Sequence, residues 1–234
     1  MRQGITEFQE PPTGIGLTED TTVNLVATDT ATEIQALIDA QPKNLNSFTL
    51  TFQFADGTYT LDAQLLFEKF YNGAVNIYGK STDSTLSTTK AVFLDFTGST
   101  NGIFVQDCNA FVAVKFFKIN HITSSNFAGI KITRCNQEAR VQANYIAGSE
   151  TTNGQSIHFY LSPTGWTENN YVSNAKDGIY ARTGTVHSKN NDDTGTDPLY
   201  GLHAFDTGTI GKEGTQPDGS TGNELIVDGG LIRN

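Results

Sequence analysis

The sequence predicts an all-β fold: a right-handed parallel β-helix solenoid with a short N-terminal capping α-helix. Three observations carry this. Strand-like segments recur every 22 to 27 residues from residue 102 onward. The composition suits strands and tight corners, with 23 Gly, only 6 Pro, 17% charged residues and a polar surface rich in Thr, Asn and Ser. Only one segment carries a convincing helical pattern.

The repeat is visible when six segments are stacked: "GIFVQDCN" from Gly102, "GIKITRCN" from Gly129, "SIHFYLSP" from Ser156, "GIYARTG" from Gly178, "GLHAFDTG" from Gly201 and "ELIVDGG" from Glu224. Their aliphatic anchors are Ile103, Ile130, Ile157, Ile179, Leu202 and Leu225, spaced 27, 27, 22, 23 and 23 residues apart. A second series runs between them, with Val114 and Val141, then Val186, Ile210 and Ile232. A strand-based period of this length marks a solenoid, whose rungs bury their apolar side only by stacking. Adjacent rungs then sit about 4.8 Å apart. "GIYARTGTV" and "GLHAFDTGTI" are one rung written twice. The second copy is one residue longer before its Thr-Gly, which fits a bulge near Phe205 and Asp206.

The helix is "TATEIQALIDAQP", about residues 30–41. Thr30 and Glu33 have capping-box spacing, Ile34, Leu37 and Ile38 share a face, and Pro42 follows the end. Standing just before the first strands, it is placed to cover the open edge of the first rung. Residues 1–28 are polar and turn-rich and read as a flexible N-terminal arm; residues 29–234 form the β-helix domain. Between helix and repeats lie "FTLTFQF" (48–54), a "DGTY" turn, "AVNIYG" (74–79) and "AVFLDF" (91–96), all short strands.

Net charge is −10 with no basic run, which argues against nucleic-acid binding. No apolar run reaches the length of a membrane span, and "MRQGITEFQEPPTGIG" lacks the apolar centre of a signal peptide. The expectation is a chain without membrane insertion. Cys108 and Cys135 hold the same place in consecutive rungs, each followed by Asn (Asn109 and Asn136). Their side chains should run parallel as a ladder of reduced, packed thiols, with the asparagines forming a corner ladder.

Alternation turns Ile103 and Val105 inward and Phe104 and Gln106 outward. One outer column is then Phe104, Lys131, His158, Tyr180, His203 and Ile226. Its neighbour is Gln106, Thr133, Tyr160, Arg182, Phe205 and Asp228. The candidate face is His158, Tyr160, Tyr180, Arg182, His203 and Phe205. Aromatic faces stack on sugar rings and Arg binds hydroxyls, so this face suits a glycan. A large apolar strip also suits contact with another subunit, which is the commoner use of such strips. His158 and His203 lie two rungs apart, roughly 10 Å, too far to share one zinc, and no third ligand is evident. No metal or cofactor is expected.

The acidic pair in "NNDDTG", Asp192 and Asp193, is similar to the paired aspartates of polygalacturonase-like hydrolases, which need two carboxyls flanking the scissile bond. The companion Gly-His-Gly and Asn-Thr-Asp of that family are absent, so a polar loop between rungs is the simpler reading. The scattered acids do not supply the calcium cluster of a pectate lyase either. No catalytic residue is assigned.

The alternation of "GI…CN", "GIYARTGTV" and "GLHAFDTGTI", the closing "DGGLI" and the opening "EIQALIDAQPKNLNSFTLTFQFADGTYT" resemble the β-helical part of bacteriophage tail fibre and tailspike-like proteins, within the pectate-lyase-like superfold. The resemblance covers about residues 29–234. It implies a phage-encoded virion protein, assembled in the host bacterial cytoplasm as a homotrimer. It further implies docking to other virion proteins and attachment to a host surface glycan. The alternatives are a polysaccharide lyase or glycoside hydrolase on the same fold and, third, a bacterial surface adhesin.

Overall fold

The structure is a computed structural model that describes residues 16–80, 89–98, 100–121, 127–150, 152–193 and 196–234. The chain winds into a parallel β-solenoid of about eight turns. The ladders are parallel throughout. Strands fall into three faces. The second face begins the chain with β1 (Thr21–Leu25), β2 (Thr49–Phe54), β5 (Tyr71–Tyr78), β8 (Asn109–Lys115) and β11 (Ala139–Gln142). The first face holds β4 (Leu65–Glu68), β7 (Ile103–Gln106) and β10 (Ala128–Thr133). Three long strands, β13 (Gln155–Glu168), β15 (Asp177–Lys189) and β17 (Tyr200–Glu213), run across both of these faces. β18 (Gly222–Val227) ends the first face and β19 (Leu231–Arg233) the second. The third face is a separate sheet of β3 (Gly57–Leu61), β6 (Val92–Phe96), β9 (Phe117–His121), β12 (Tyr145–Gly148), β14 (Tyr171–Ser173) and β16 (Asp192–Asp193).

The repeat anchors stack in register: Ile103 pairs with Ile130, then Ile157, Ile179 and Leu202. All five are buried, each contributing about 1.5–3 kcal/mol of apolar transfer. The early rungs are filled by aromatic rings. Phe52 meets Phe67 edge-on at 5.1 Å, and Phe54 meets Phe117 at the same distance. Later rungs carry Ala181 and Ala204 above Phe159, so the core narrows where the repeat shortens.

Helix α1 (Ala31–Asp39) carries the expected capping box: the Glu33 N–H donates to Thr30 Oγ1 and the Thr30 N–H to Glu33 Oε2. Ala31, Ile34 and Ile38 are buried. Leu37, expected on the same face, is exposed instead. The helix closes the lower edge of the first face through one side chain. Gln35 Nε2 donates to the Leu66 carbonyl at 2.9 Å, and the Leu66 N–H donates to Gln35 Oε1 at 2.8 Å. An amide thus stands in for the missing strand below β4.

Every corner needs a backbone reversal. Between the first and second faces, Asp107, Arg134, Leu161, Thr183 and Asp206 take a left-handed conformation; between the second and third, Phe116, Ala143, Asn169 and Asn190 do. That conformation costs a bulky residue about 1–2 kcal/mol. At the second set of corners, side-chain amides provide the compensation. Asn144, Asn170 and Asn191 are buried and stacked. Asn144 Oδ1 accepts the Phe117 N–H, Asn170 Oδ1 that of Asn144, and Asn191 Oδ1 that of Asn170. Their Nδ2 groups donate to the carbonyls of Val114, Val141 and Thr167. Gln216 continues the series, donating to the Ser188 carbonyl.

Several expectations are corrected. Part of the stretch 1–28, expected as a flexible arm, is ordered: Thr21–Leu25 forms β1, paired along its length with β2. The alternation of Val23 and Leu25 buries one side of this short strand; residues 1–15 lie outside the described residues. The asparagine ladder lies at Asn144, Asn170 and Asn191, whereas Asn109 and Asn136 are exposed. The last rung is shifted by one: Leu202 pairs with Glu224, His203 with Leu225 and Ala204 with Ile226. Leu225 therefore joins the outer column, and Ile226 points toward the interior side at an end where it stays 50% exposed. The second aliphatic series is two columns, because Val186 pairs with Gly165 and Ile210, whereas Val141 pairs with Val114 and Thr167. The bulge expected near Phe205 and Asp206 is present: between the Arg182–Phe205 and Gly184–Gly208 pairs, Asp206 and Thr207, both with positive φ, stand opposite the single Thr183. Cys108 and Cys135 are free and buried, as their matching rung positions predict.

Candidate functional site

The candidate face lies on the outer side of β13, β15 and β17, where these strands form the first face. Register brings all six of its residues into two columns as expected, with Tyr180 between His158 and His203 and Arg182 between Tyr160 and Phe205. The first column is a stack of rings. The centroids of His158 and Tyr180 are 4.6 Å apart, and those of Tyr180 and His203 also 4.6 Å, at interplanar angles near 40°. The rings cover one another, so both histidines are only 6% exposed although they sit on the outer side of the sheet.

The two histidines differ in their partners. His203 Nδ1 lies 2.9 Å from Asp177 Oδ1, and Asp177 is itself buried. Among the described residues, His158 has no hydrogen-bond partner at either ring nitrogen. Burial, reinforced by the charges of Lys131 and Arg182, holds its pKa well below the usual histidine range, so the ring is neutral. Tyr180 is pushed up to about 12, chiefly by burial, and remains a phenol.

The second column is the accessible one. The Arg182 guanidinium sits between two rings, 5.1 Å from Tyr160 and 5.2 Å from Phe205. It lies 3.5 Å from the Asp206 carboxylate. Tyr160, Arg182 and Phe205 are all half-buried, so rings and guanidinium edge are presented to solvent. Lys131, one rung below His158, lies over Phe104 at 5.5 Å and extends the cationic and aromatic mix downward.

Asp192 and Asp193 are not part of this face. They form β16, a two-residue strand on the third face rather than a polar loop. Asp193 accepts the Asp218 N–H at 2.8 Å, and burial raises its pKa. Among the described residues, no three His, Cys, Asp or Glu side chains are grouped to hold a metal ion. No described helix is long and apolar enough to cross a membrane.

One surface pair escaped the sequence reading. On the second face Trp166 and His187 are in register and stack at 5.2 Å with 30° between planes, beneath which lies Arg140. The signal was the spacing of Arg140, Trp166 and His187, which follows the shortening repeat. It is hidden when rungs are aligned only on their first-face anchors.

Fold and surface together define a parallel β-solenoid with stacked ring ladders on two outer faces. No protein-family model matches the chain, and no curated protein matches its sequence.

Proposed function

We propose that the chain is the β-helical part of a phage virion appendage, a tail fibre or tailspike-like protein that attaches to a host surface glycan. The virion setting rests on the resemblance of the helix-and-first-rung opening and of the echoed rungs. The observation that carries glycan recognition is the half-exposed Tyr160–Arg182–Phe205 sandwich, backed by the rigid His158–Tyr180–His203 stack. Rings of this kind offer apolar faces to a pyranose, and a guanidinium held by two rings and a carboxylate offers oriented donors to its hydroxyls. The backing stack limits the motion of the platform, so little order is lost on binding. In the proposed assembly the chain is a homotrimer docked to other virion proteins.

The geometry favours binding over cleavage. Asp177, the acid nearest the stack, is buried against His203, and Asp192 and Asp193 lie on another face. The test is binding to a panel of purified host-surface polysaccharides, neutral and acidic, with product sizing in the same samples. Intact glycan should be retained, and Arg182→Ala should weaken any binding made at the sandwich by about tenfold or more. Shortened oligosaccharides would overturn the non-enzymatic reading. A monomeric mass by light scattering would overturn the trimer.

A further inference from the structure

The outer column of the second face runs Arg140, Trp166, His187, Gly211, Arg233 in strict register. Four of these carry large planar groups and one carries no side chain. The gap at Gly211 opens a notch one rung high between the His187 ring and the Arg233 guanidinium. It belongs to a cleft of about 230 Å³ that Trp166 and Lys212 also line.

The dimensions select what can enter. His187 and Arg233 stand two rungs apart, roughly 10 Å from the strand spacing. A ring sandwiched between them needs two van der Waals contacts of about 4 Å each. That leaves room for one puckered ring, looser than a flat aromatic would need. A Cβ on Gly211 would meet nothing closer than His187 Nδ1 at 3.6 Å, so neither packing nor crowding explains the glycine. The charge is local as well. Arg140 pairs with Glu138, Lys189 with Glu213 at 2.9 Å, and Lys212 with Glu224, whereas Arg233 is exposed and in no ion pair among the described residues. One uncommitted guanidinium suits one carboxylate, and a net charge of −10 disfavours a polyphosphate.

We propose that the Gly211 notch is a subsite for a single acidic pyranose of a host polysaccharide, its ring stacked on His187 and its carboxylate held by Arg233. This deepens the proposed function and rests on the glycan-binding reading, but it places the acid-specific contact on a different face from the Arg182 sandwich.

Trp166 is the single tryptophan, so its fluorescence reports on the cleft. The experiment titrates the full chain with glucuronic-acid-containing capsular oligosaccharides and with the same oligosaccharides after reduction of their carboxyls. The polysaccharide panel is run alongside. The acidic oligosaccharides should perturb Trp166 emission and bind at least about tenfold more tightly than the reduced ones, with an affinity that falls as salt rises. Gly211→Phe, which fills the notch without a strained backbone, should abolish the emission change. Arg233→Gln should bring acidic and reduced oligosaccharides to the same affinity. Equal binding of both ligands by the unaltered chain, or unchanged binding by Gly211→Phe, overturns the subsite while other glycans on the panel still bind. Absence of binding to every glycan overturns the attachment reading itself.

Discussion

Replacing Asn170 with Ala removes the middle member of the buried amide ladder. Its Oδ1 accepts the Asn144 N–H at 3.0 Å and Asn144 Nδ2 at 3.1 Å, and its Nδ2 donates to the Val141 carbonyl at 2.9 Å and to Asn191 Oδ1 at 2.9 Å. The side chain is fully buried. After truncation the Asn144 N–H and the Val141 carbonyl lose these partners inside a corner held in a left-handed conformation at Ala143 and Asn169. Each orphaned group costs about 1–3 kcal/mol, so the expected loss is about 2–6 kcal/mol, lower if a water enters the polar cavity. The matched control is Asn109→Ala. Asn109 is exposed and its carboxamide oxygen has only a 3.5 Å contact with Gln137 Nε2, so its loss should stay within about 0.5 kcal/mol. Urea unfolding followed by circular dichroism measures both. A reduced slope in Asn170→Ala would further show the stack separating into two units, as nearest-neighbour coupling allows. Equal midpoints for the two variants would refute the reasoning that amide clamps hold these corners.

Three further outcomes follow from two kinds of buried group and from one close backbone approach. Stability should fall as pH drops below about 6.5, where the unfolded chain protonates its histidines while buried His158 stays neutral. His121, pushed down to about 3 by burial, adds to the same trend. The slope is about 1.4 kcal/mol per pH unit for each such histidine, and His158→Phe should remove one histidine's share in urea midpoints measured from pH 7.5 to 4.5. The hydrogen bond with Cys135, with burial behind it, pushes the Cys108 thiol well up, so alkylation at pH 8 should track global unfolding, and rapid labelling of folded protein would contradict the packing. Gly184→Ala should be strongly destabilising by thermal melting, because φ is +145° and the new Cβ would lie 2.1 Å from the Ser162 carbonyl oxygen. A shift of a degree or less would refute the close approach.

The stacking of Ile103, Ile130, Ile157, Ile179 and Leu202 was legible because a buried aliphatic column repeats its residue type at every rung. The last rung was not. In "ELIV" either Leu225 or Ile226 satisfies an apolar anchor, so residue type alone does not decide the register. The burial of His158 and His203 escaped alternation rules, which assign a side of the sheet but not the shielding that neighbouring rings supply along a column. The asparagine ladder escaped because corner residues carry no hydrophobic period. Its trace was an Asn directly after each left-handed position, at Asn144, Asn170 and Asn191. The notch needed the second-face register, which the bulge after Arg182 obscures in sequence.

The amide ladder has a direction. Asn144 fastens the corner of the rung before it, through the Phe117 N–H and the Val114 carbonyl, and waits for Asn170 to fasten its own. Asn170 depends in the same way on Asn191, and the rung of Asn191 on Gln216, through the Ser188 carbonyl. Each turn is a latch closed only by the turn that follows. A nascent chain leaving the ribosome would lock behind itself one rung at a time, with its newest turn always the loosest.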